Sequence, residues 1–330
     1  MFRGSVFDLE DAMRKAALII AIIAAVPVLG VVAVAGRALG VRASLRQAAA
    51  ADEKHSIVVG GLTHHYLLHV PTDLPSKGPV PLVLIFHGGG GNAWNMPGLT
   101  HFDELADDQG FLVAYPDSFN KNWNDTRGLS SADDVGFIRA LIDEVSRSRP
   151  VDPHRVYATG ISNGSFFSNR LACDLTDKIA AIASVAATMP ESLVPPCKPS
   201  RPISVLYMHG TEDPLVPIGG GRIGFRHGRA RGDNTSLADA AKFWRTQDRI
   251  SSPPVRTELP DRVNDGTHVH RDLWTGGADD TEVVVYTIEG GGHAWPSGPQ
   301  YLPPLIVGKA SRNLNATRVI WEFFQTQSLP

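Results

Sequence analysis

Three residues lying far apart in the chain have the types and the order that nucleophilic acyl chemistry requires. Ser162 sits in Gly160-Ile161-Ser162-Asn163-Gly164, between the strand-like run Arg155–Thr159 and a helix-compatible run from Ser165 to Leu175. A strand-to-helix turn this tight forces its central residue into strained backbone and lifts the serine hydroxyl above a sheet edge, so its neighbours must be small. A hydroxyl becomes a useful nucleophile only when a base takes its proton and an acid orients that base. Asp213 supplies the acid, in His209-Gly210-Thr211-Glu212-Asp213-Pro214 after the apolar run Ile203–Met208. His293 supplies the base, in Glu289-Gly290-Gly291-Gly292-His293-Ala294-Trp295-Pro296 after the run Glu282–Ile288. Any one of these segments can arise by chance, whereas the three in this order, each after its own strand, specify a catalytic triad.

A fourth segment lies upstream, where the apolar run Pro81–Phe86 leads into His87-Gly88-Gly89-Gly90-Gly91-Asn92. Acyl transfer passes through a tetrahedral oxyanion, and residues without side chains let backbone N–H groups approach it. The two donors are assigned to Gly89 and Asn163, with Gly88 and Gly90 as the neighbouring choices for the first. A glycine run after a strand can also cradle phosphate, but this one lacks both the Gly-Lys-Ser/Thr ending of a P-loop and the G-x-G-x-x-G spacing of a dinucleotide site. No nucleotide or other cofactor is expected.

The elements that must hold these segments alternate between strand and helix patterns from about residue 56 to the end. This predicts an α/β fold with a mostly parallel central sheet and helices on both faces, the arrangement of an α/β-hydrolase. One catalytic domain over 56–330 accounts for the motifs. Ile138, Leu141, Ile142 and Val145 repeat at helical spacing behind a capping Asp133-Asp134, and Leu237, Ala240, Ala241 and Trp244 repeat behind Ser236. Leu314, Thr317, Trp321 and Phe324 predict a last helix packed on the sheet.

The formal charge of the 330 residues is −3, which gives no reason to expect a nucleic-acid partner. Arg222, Arg226, His227, Arg229 and Arg231 form the densest basic stretch, among glycines, and read as a solvated loop or as a flap over the active site. No His, Cys and carboxylate cluster has metal-ligand spacing; His64-His65 and His268-x-His270 come nearest, and alternation along a strand explains both.

The uncharged stretch Ala16 to Gly36 is long enough to cross a hydrocarbon core. Residues 1–36 therefore read as a signal peptide or an N-terminal membrane anchor, and 37–55 as a linker. Ala33-Val34-Ala35 fits a cleavage site, whereas Asp8, Glu10 and Asp11 are unusual in a signal's leading region. Basic residues balance across the stretch and do not orient it. Cys173 and Cys197 are the two cysteines. Two free thiols are one reading; an exported domain favours a disulfide between them. The expected location is extracytoplasmic, either secreted or anchored through the N-terminal segment.

With these motifs in hand, the chain resembles the secreted esterase family that includes polyhydroxybutyrate depolymerase-like and feruloyl or acetylxylan esterase-like enzymes. The resemblance covers about 56–325 and rests on His87–Asn92, Asn122-Trp123-Asn124-Asp125, Asp134-Val135-Gly136-Phe137, Arg155–Gly164, His209–Asp213 and Gly292–Pro296. It implies catalytic Ser162, Asp213 and His293, and it suggests that Trp123 and Trp295 border the substrate pocket, although packing would explain either indole. The implied partner is an ester that is small, polymeric or derived from plant cell wall. The absence of an appended polymer-binding pattern argues against efficient attack on crystalline polymer. Two other readings use the same fold: an acyltransferase, in which a hydroxyl acceptor replaces water, and a non-catalytic binding protein, which three filled triad positions disfavour.

Overall fold

The computed structural model describes residues 45, 48, 49, 51–74, 78–225 and 228–330. The Ala16–Gly36 stretch, Arg226 and His227 lie outside the described residues. Among the described residues, no helix is long and apolar enough to cross a membrane.

Ten strands form the main sheet: β1 (Glu53–Val59), β2 (Leu62–His69), β3 (Val80–Phe86), β4 (Leu112–Pro116), β5 (Val151–Ile161), β6 (Ala181–Val185), β7 (Ser204–Gly210), β10 (Val255–Glu258), β11 (His268–Trp274) and β12 (Val283–Glu289). Two short strands, β8 (Gly221–Arg222) and β9 (Asp233–Asn234), pair apart from it. The order is β1-β2-β4-β3-β5-β6-β7-β12-β11-β10. The block from β4 to β12 is parallel, while β1 and β2 on one edge and β10 and β11 on the other add antiparallel strands. Residues of β3, β4, β6 and β7 are buried throughout, as continuous apolar runs covered on both faces must be. The domain begins before residue 56, because Glu53 already pairs with Leu68 and is gripped by Arg149 at 2.7 Å.

The helices are α1 (Met96–Thr100), α2 (Phe102–Gln109), α3 (Asp134–Ser148), α4 (Asn163–Asp174), α5 (Leu237–Gln247), α6 (Pro304–Val307) and α7 (Ala316–Phe324). The side chain of Asp133 caps α3 by accepting the Gly136 N–H at 2.9 Å, and Ser236 caps α5 through the Asp239 N–H at 3.0 Å. Asp134 does not cap. It is buried and its Oδ2 accepts the Asn124 N–H at 2.7 Å, tying α3 to the loop after β4. The last helix starts later than its apolar stripe suggested, since Asn315 caps it and Leu314 precedes it. Cys173 and Cys197 form a disulfide with Cα atoms 5.0 Å apart, fastening the end of α4 to the chain that leads into β7.

Histidines alternate as a strand requires: His64 is buried against the Phe137 ring while His65 faces outward. Sequence spacing missed a different cluster. Ligand-type atoms of Asp52, His69 and Asp103 lie within 4.8 Å of one another, and His69 bridges Asp52 (3.1 Å) and Asp107 (2.9 Å). The three carboxylates push the His69 imidazole up to about 9 against the opposing effect of burial, so this group reads as an imidazolium held among acids.

Candidate active site

Ser162 stands between the end of β5 and the start of α4 with φ 58° and ψ −119°. For a residue with a Cβ this is strained backbone, and the fold enforces it from both sides. The Ser162 N–H donates to Val185 O at 3.0 Å and the Phe166 N–H donates to Ser162 O at 3.0 Å. A Cβ on Gly160 would lie 2.6 Å from Phe86 O, and one on Gly164 would lie 2.2 Å from the same oxygen. Both glycines of the pentapeptide are therefore needed for β3 and the turn to touch backbone to backbone. Ser162 remains partly exposed, unlike its neighbours.

Asp213 and His293 meet where the loops after β7 and β12 cross. A Cβ on Gly210 would lie 2.2 Å from Gly291 O, so the crossing also depends on missing side chains. The Glu212 N–H donates to Gly291 O at 2.8 Å, and Gly292 N–H donates to Lys309 O at 2.8 Å. This brings His293 Nδ1 to 2.7 Å from Asp213 Oδ2. The other oxygen, Oδ1, accepts the Leu215 and Val216 N–H groups at 2.8 and 2.9 Å. Burial works to raise the Asp213 carboxyl, but His293, its hydrogen bond and nearby His209 together hold it below the ordinary carboxylate range. An ionised Asp213 accepts only, so Nδ1 of His293 carries the hydrogen, and in the neutral ring the lone pair is that of Nε2. Tyr301 steadies the histidine by donating its hydroxyl to His293 O at 2.9 Å. Asp and His are thus joined as the sequence suggested. Ser162 Oγ makes no hydrogen bond to His293 in this conformation; such bonds are often loose before a substrate binds.

Behind the loop after β3, His87 sets the backbone. Its Nε2 accepts the Ser118 N–H at 3.1 Å, so Nδ1 carries the hydrogen and donates to Gly88 O at 2.8 Å. Gly90 N–H is taken by Lys121 O at 2.8 Å and Gly91 N–H by Gly88 O at 2.9 Å. That removes Gly90 from the choice of oxyanion donors and leaves Gly88 and Gly89. Gly88 lies beside Ser162, with a Cβ position 3.4 Å from Ser162 Cβ, while Gly89 faces Asn122 and Arg231. Asn163 opens α4, and the first N–H groups of a helix have no intrahelical acceptor. Its side chain fixes the 122–125 loop, taking the Trp123 N–H at 2.8 Å and donating to Asp125 Oδ2 at 2.6 Å. Asp125 is buried and ion-paired with Arg127.

The two tryptophans depart from the expected placement. Trp123 is wholly buried, stacked on Phe167 at 4.9 Å and edge-on to Phe86, with its indole N–H donated to His87 O at 3.0 Å. Trp295 is 1% exposed, packs edge-on to Phe102 and donates to Thr317 Oγ1 at 3.0 Å. Neither indole has surface left for a ligand, because each apolar body and each N–H is already satisfied by the core. Sequence reasoning also passed over His87, Asn122, Asp125, Arg127 and Tyr301 as supports. For Asn122 and Asp125 the signal was the Asn-Trp-Asn-Asp run itself, three polar residues around a large apolar one after a strand.

A parallel sheet of this order, with a strained serine after β5, an acid after β7 and a histidine after β12, defines an α/β-hydrolase. A model of the α/β-hydrolase fold family matches residues 81–203. NocK of Nocardia uniformis subsp. tsuyamanensis, named as an esterase, is 32% identical over 282 residues, which is 81% of this chain and 80% of its own length. Feruloyl esterase B of Piromyces equi is 28% identical over 243 residues, 70% of this chain but 43% of that protein. Among solved structures, a thermostable esterase (TM-score 0.55, 15% identity, 84% of this chain and 63% of that one) and the acetyl xylan esterase from Aspergillus awamori (TM-score 0.54, 15% identity, 73% and 94%) share the fold. The chain belongs to the α/β-hydrolase family and falls among its esterases.

Proposed function

We propose that the protein is a serine carboxylic-ester hydrolase that works through an acyl-enzyme. Ser162 Oγ attacks the ester carbonyl, His293 Nε2 takes the proton and returns it to the leaving alcohol, and Asp213 holds the imidazole and stabilises its charged form. The N–H groups of Gly89 and Asn163 receive the oxyanion, with Gly88 as the alternative to Gly89. Water activated by His293 then releases the acid. The observation that carries this reading is the forced backbone of Ser162 on the same sheet edge as the Asp213–His293 pair.

The substrate has an apolar part. Phe119, Phe225, Leu305 and Ile306 are large exposed hydrophobic side chains on the connections that leave β4, β8 and β12, with Leu305 and Ile306 within α6, and they support this reading. Relatives named as feruloyl and acetylxylan esterases support esters of the plant cell wall as one class. The Cys173–Cys197 disulfide supports work in an oxidising compartment outside the cytoplasm. A serine-directed phosphonate followed by peptide mass spectrometry tests the mechanism: label is expected on Ser162 alone, and Ser162→Ala should lose roughly 10⁴-fold or more in turnover of p-nitrophenyl acetate. Label at another serine, or an alanine variant with unchanged turnover, defeats it.

A further inference from the structure

The basic stretch after the acid loop is fastened down at Ile223 and Arg231. Ile223 is buried with Phe166 of α4, Ala187 and Val216 of the acid loop. The Gly224 N–H donates to Leu215 O at 2.8 Å, and the loop closes on itself through Ile223 N–H to Gly232 O (2.9 Å) and Arg231 N–H to Ile223 O (3.1 Å). Arg127, held by Asp125 and lying over the Phe166 ring, donates Nη1 to the Arg231 carbonyl at 3.0 Å. The backbone of Arg231 is thus held from two sides, and its guanidinium is delivered to the oxyanion loop. There Nη2 donates to Asn122 Oδ1 and occupies the space a Cβ on Gly89 would enter, 2.8 Å away.

This cation has no carboxylate of its own. Asp125, the acid that acts on it through space, is ion-paired with Arg127, and among the described residues Arg231 makes no ion pair. Burial and the neighbouring Arg127 work against its charge and outweigh the support from Asp125. A guanidinium stays protonated regardless, so it is left half-buried with N–H groups beyond the one spent on Asn122. Such a fork matches the two oxygens of a carboxylate, which a point charge does not.

We propose that Arg231 is a specificity-determining residue that selects esters bearing a carboxylate close to the scissile bond. One guanidinium balances one negative charge; a phosphate dianion would leave charge beside the forming oxyanion and oppose it. The proposal rests on the serine-esterase reading and names its substrate class.

The test compares matched esters that differ in one charge: acetoxybenzoate against acetoxybenzamide, and monomethyl glutarate against methyl glutaramate. The wild type should prefer the anionic member of at least one pair, with kcat/KM falling as salt is raised. Arg231→Gln should lower kcat/KM for that anionic ester by at least about tenfold more than for its neutral partner, mainly through KM. Arg231→Lys should recover part of the preference, and Arg229→Gln, an exposed charge on the same loop, should leave the ratio as it is. Equal losses for both members, or a wild type without anion preference that still hydrolyses neutral esters, overturn the proposal and leave the esterase reading standing. Failure of the wild type on every ester, with no phosphonate label on Ser162, removes both.

Discussion

Gly164→Ala is expected to damage catalysis far more than stability. The added methyl would sit 2.2 Å from Phe86 O, 2.6 Å from Phe86 C and 2.7 Å from His87 O, all backbone atoms at the end of β3 and the start of the oxyanion loop. Real Cβ contacts essentially never fall below 3.0 Å, so the start of α4 and this loop must part by at least 0.8 Å, the difference between 3.0 and 2.2 Å. No flexible side chain can absorb that shift. The movement separates Asn163 N–H from the glycine donor, and an oxyanion hole works only with donors near 3 Å from the developing charge. Losing one donor costs about 10²–10³ in kcat. Stability moves less, because overpacking of about 1–3 kcal/mol is offset by the roughly 1 kcal/mol that alanine gains over glycine in a helix. The assays are steady-state kinetics with p-nitrophenyl acetate and thermal unfolding of the same preparation. Gly219→Ala, where a Cβ meets nothing within 4 Å, serves as the neutral control. A Gly164→Ala enzyme with kcat within a few fold of wild type, or one that loses activity only as it unfolds, would refute the account of the elbow.

Two further expectations concern stability. Replacing Cys173 and Cys197 by serine opens a loop of sequence separation 24 and should cost roughly 3 kcal/mol on the chain-entropy relation, read as a lower urea midpoint; an unchanged midpoint would show that the bond constrains little. His69, raised to about 9 in the fold against 6.5 unfolded, contributes stability that is fully present below 6.5 and lost as pH rises through 9. Asp103, raised to about 7 mainly by burial, acts with the same sign at lower pH. Urea midpoints should therefore fall across pH 6.5–9 in the wild type and fall less in His69→Gln; parallel profiles would exclude His69 as the source.

The chemistry-bearing segments were legible because close backbone approach leaves a mark in sequence. Gly160 and Gly164 are glycines for the reason that Phe86 O lies where a Cβ would be, and Gly210 meets Gly291 in the same way. Continuous apolar runs likewise disclosed β3 and β7, which are buried on both faces. The antiparallel edges were less visible. β10 is exposed along its whole length, so its residues carry no burial pattern to read.

Side-chain direction was the other unreadable quantity, and it matters most around the site. Trp123 neighbours Asn122 in sequence, yet Asn122 holds Arg231 at the oxyanion loop while Trp123 turns into the core against Phe167. Extended backbone sends successive side chains to opposite faces, so adjacency to a site residue argues against sharing its surface as often as for it. Arg231 illustrates the converse. It lies 109 positions from Asn122, in a glycine-rich stretch whose composition resembles a free loop, and only the burial of Ile223 and the reach of Arg127 fix where it points. A basic loop anchored at an apolar residue can deliver charge to a defined atom, whereas the same charges without that anchor would be screened by solvent. The difference between a solvated loop and a selective flap thus rests on Ile223 more than on any arginine in the stretch.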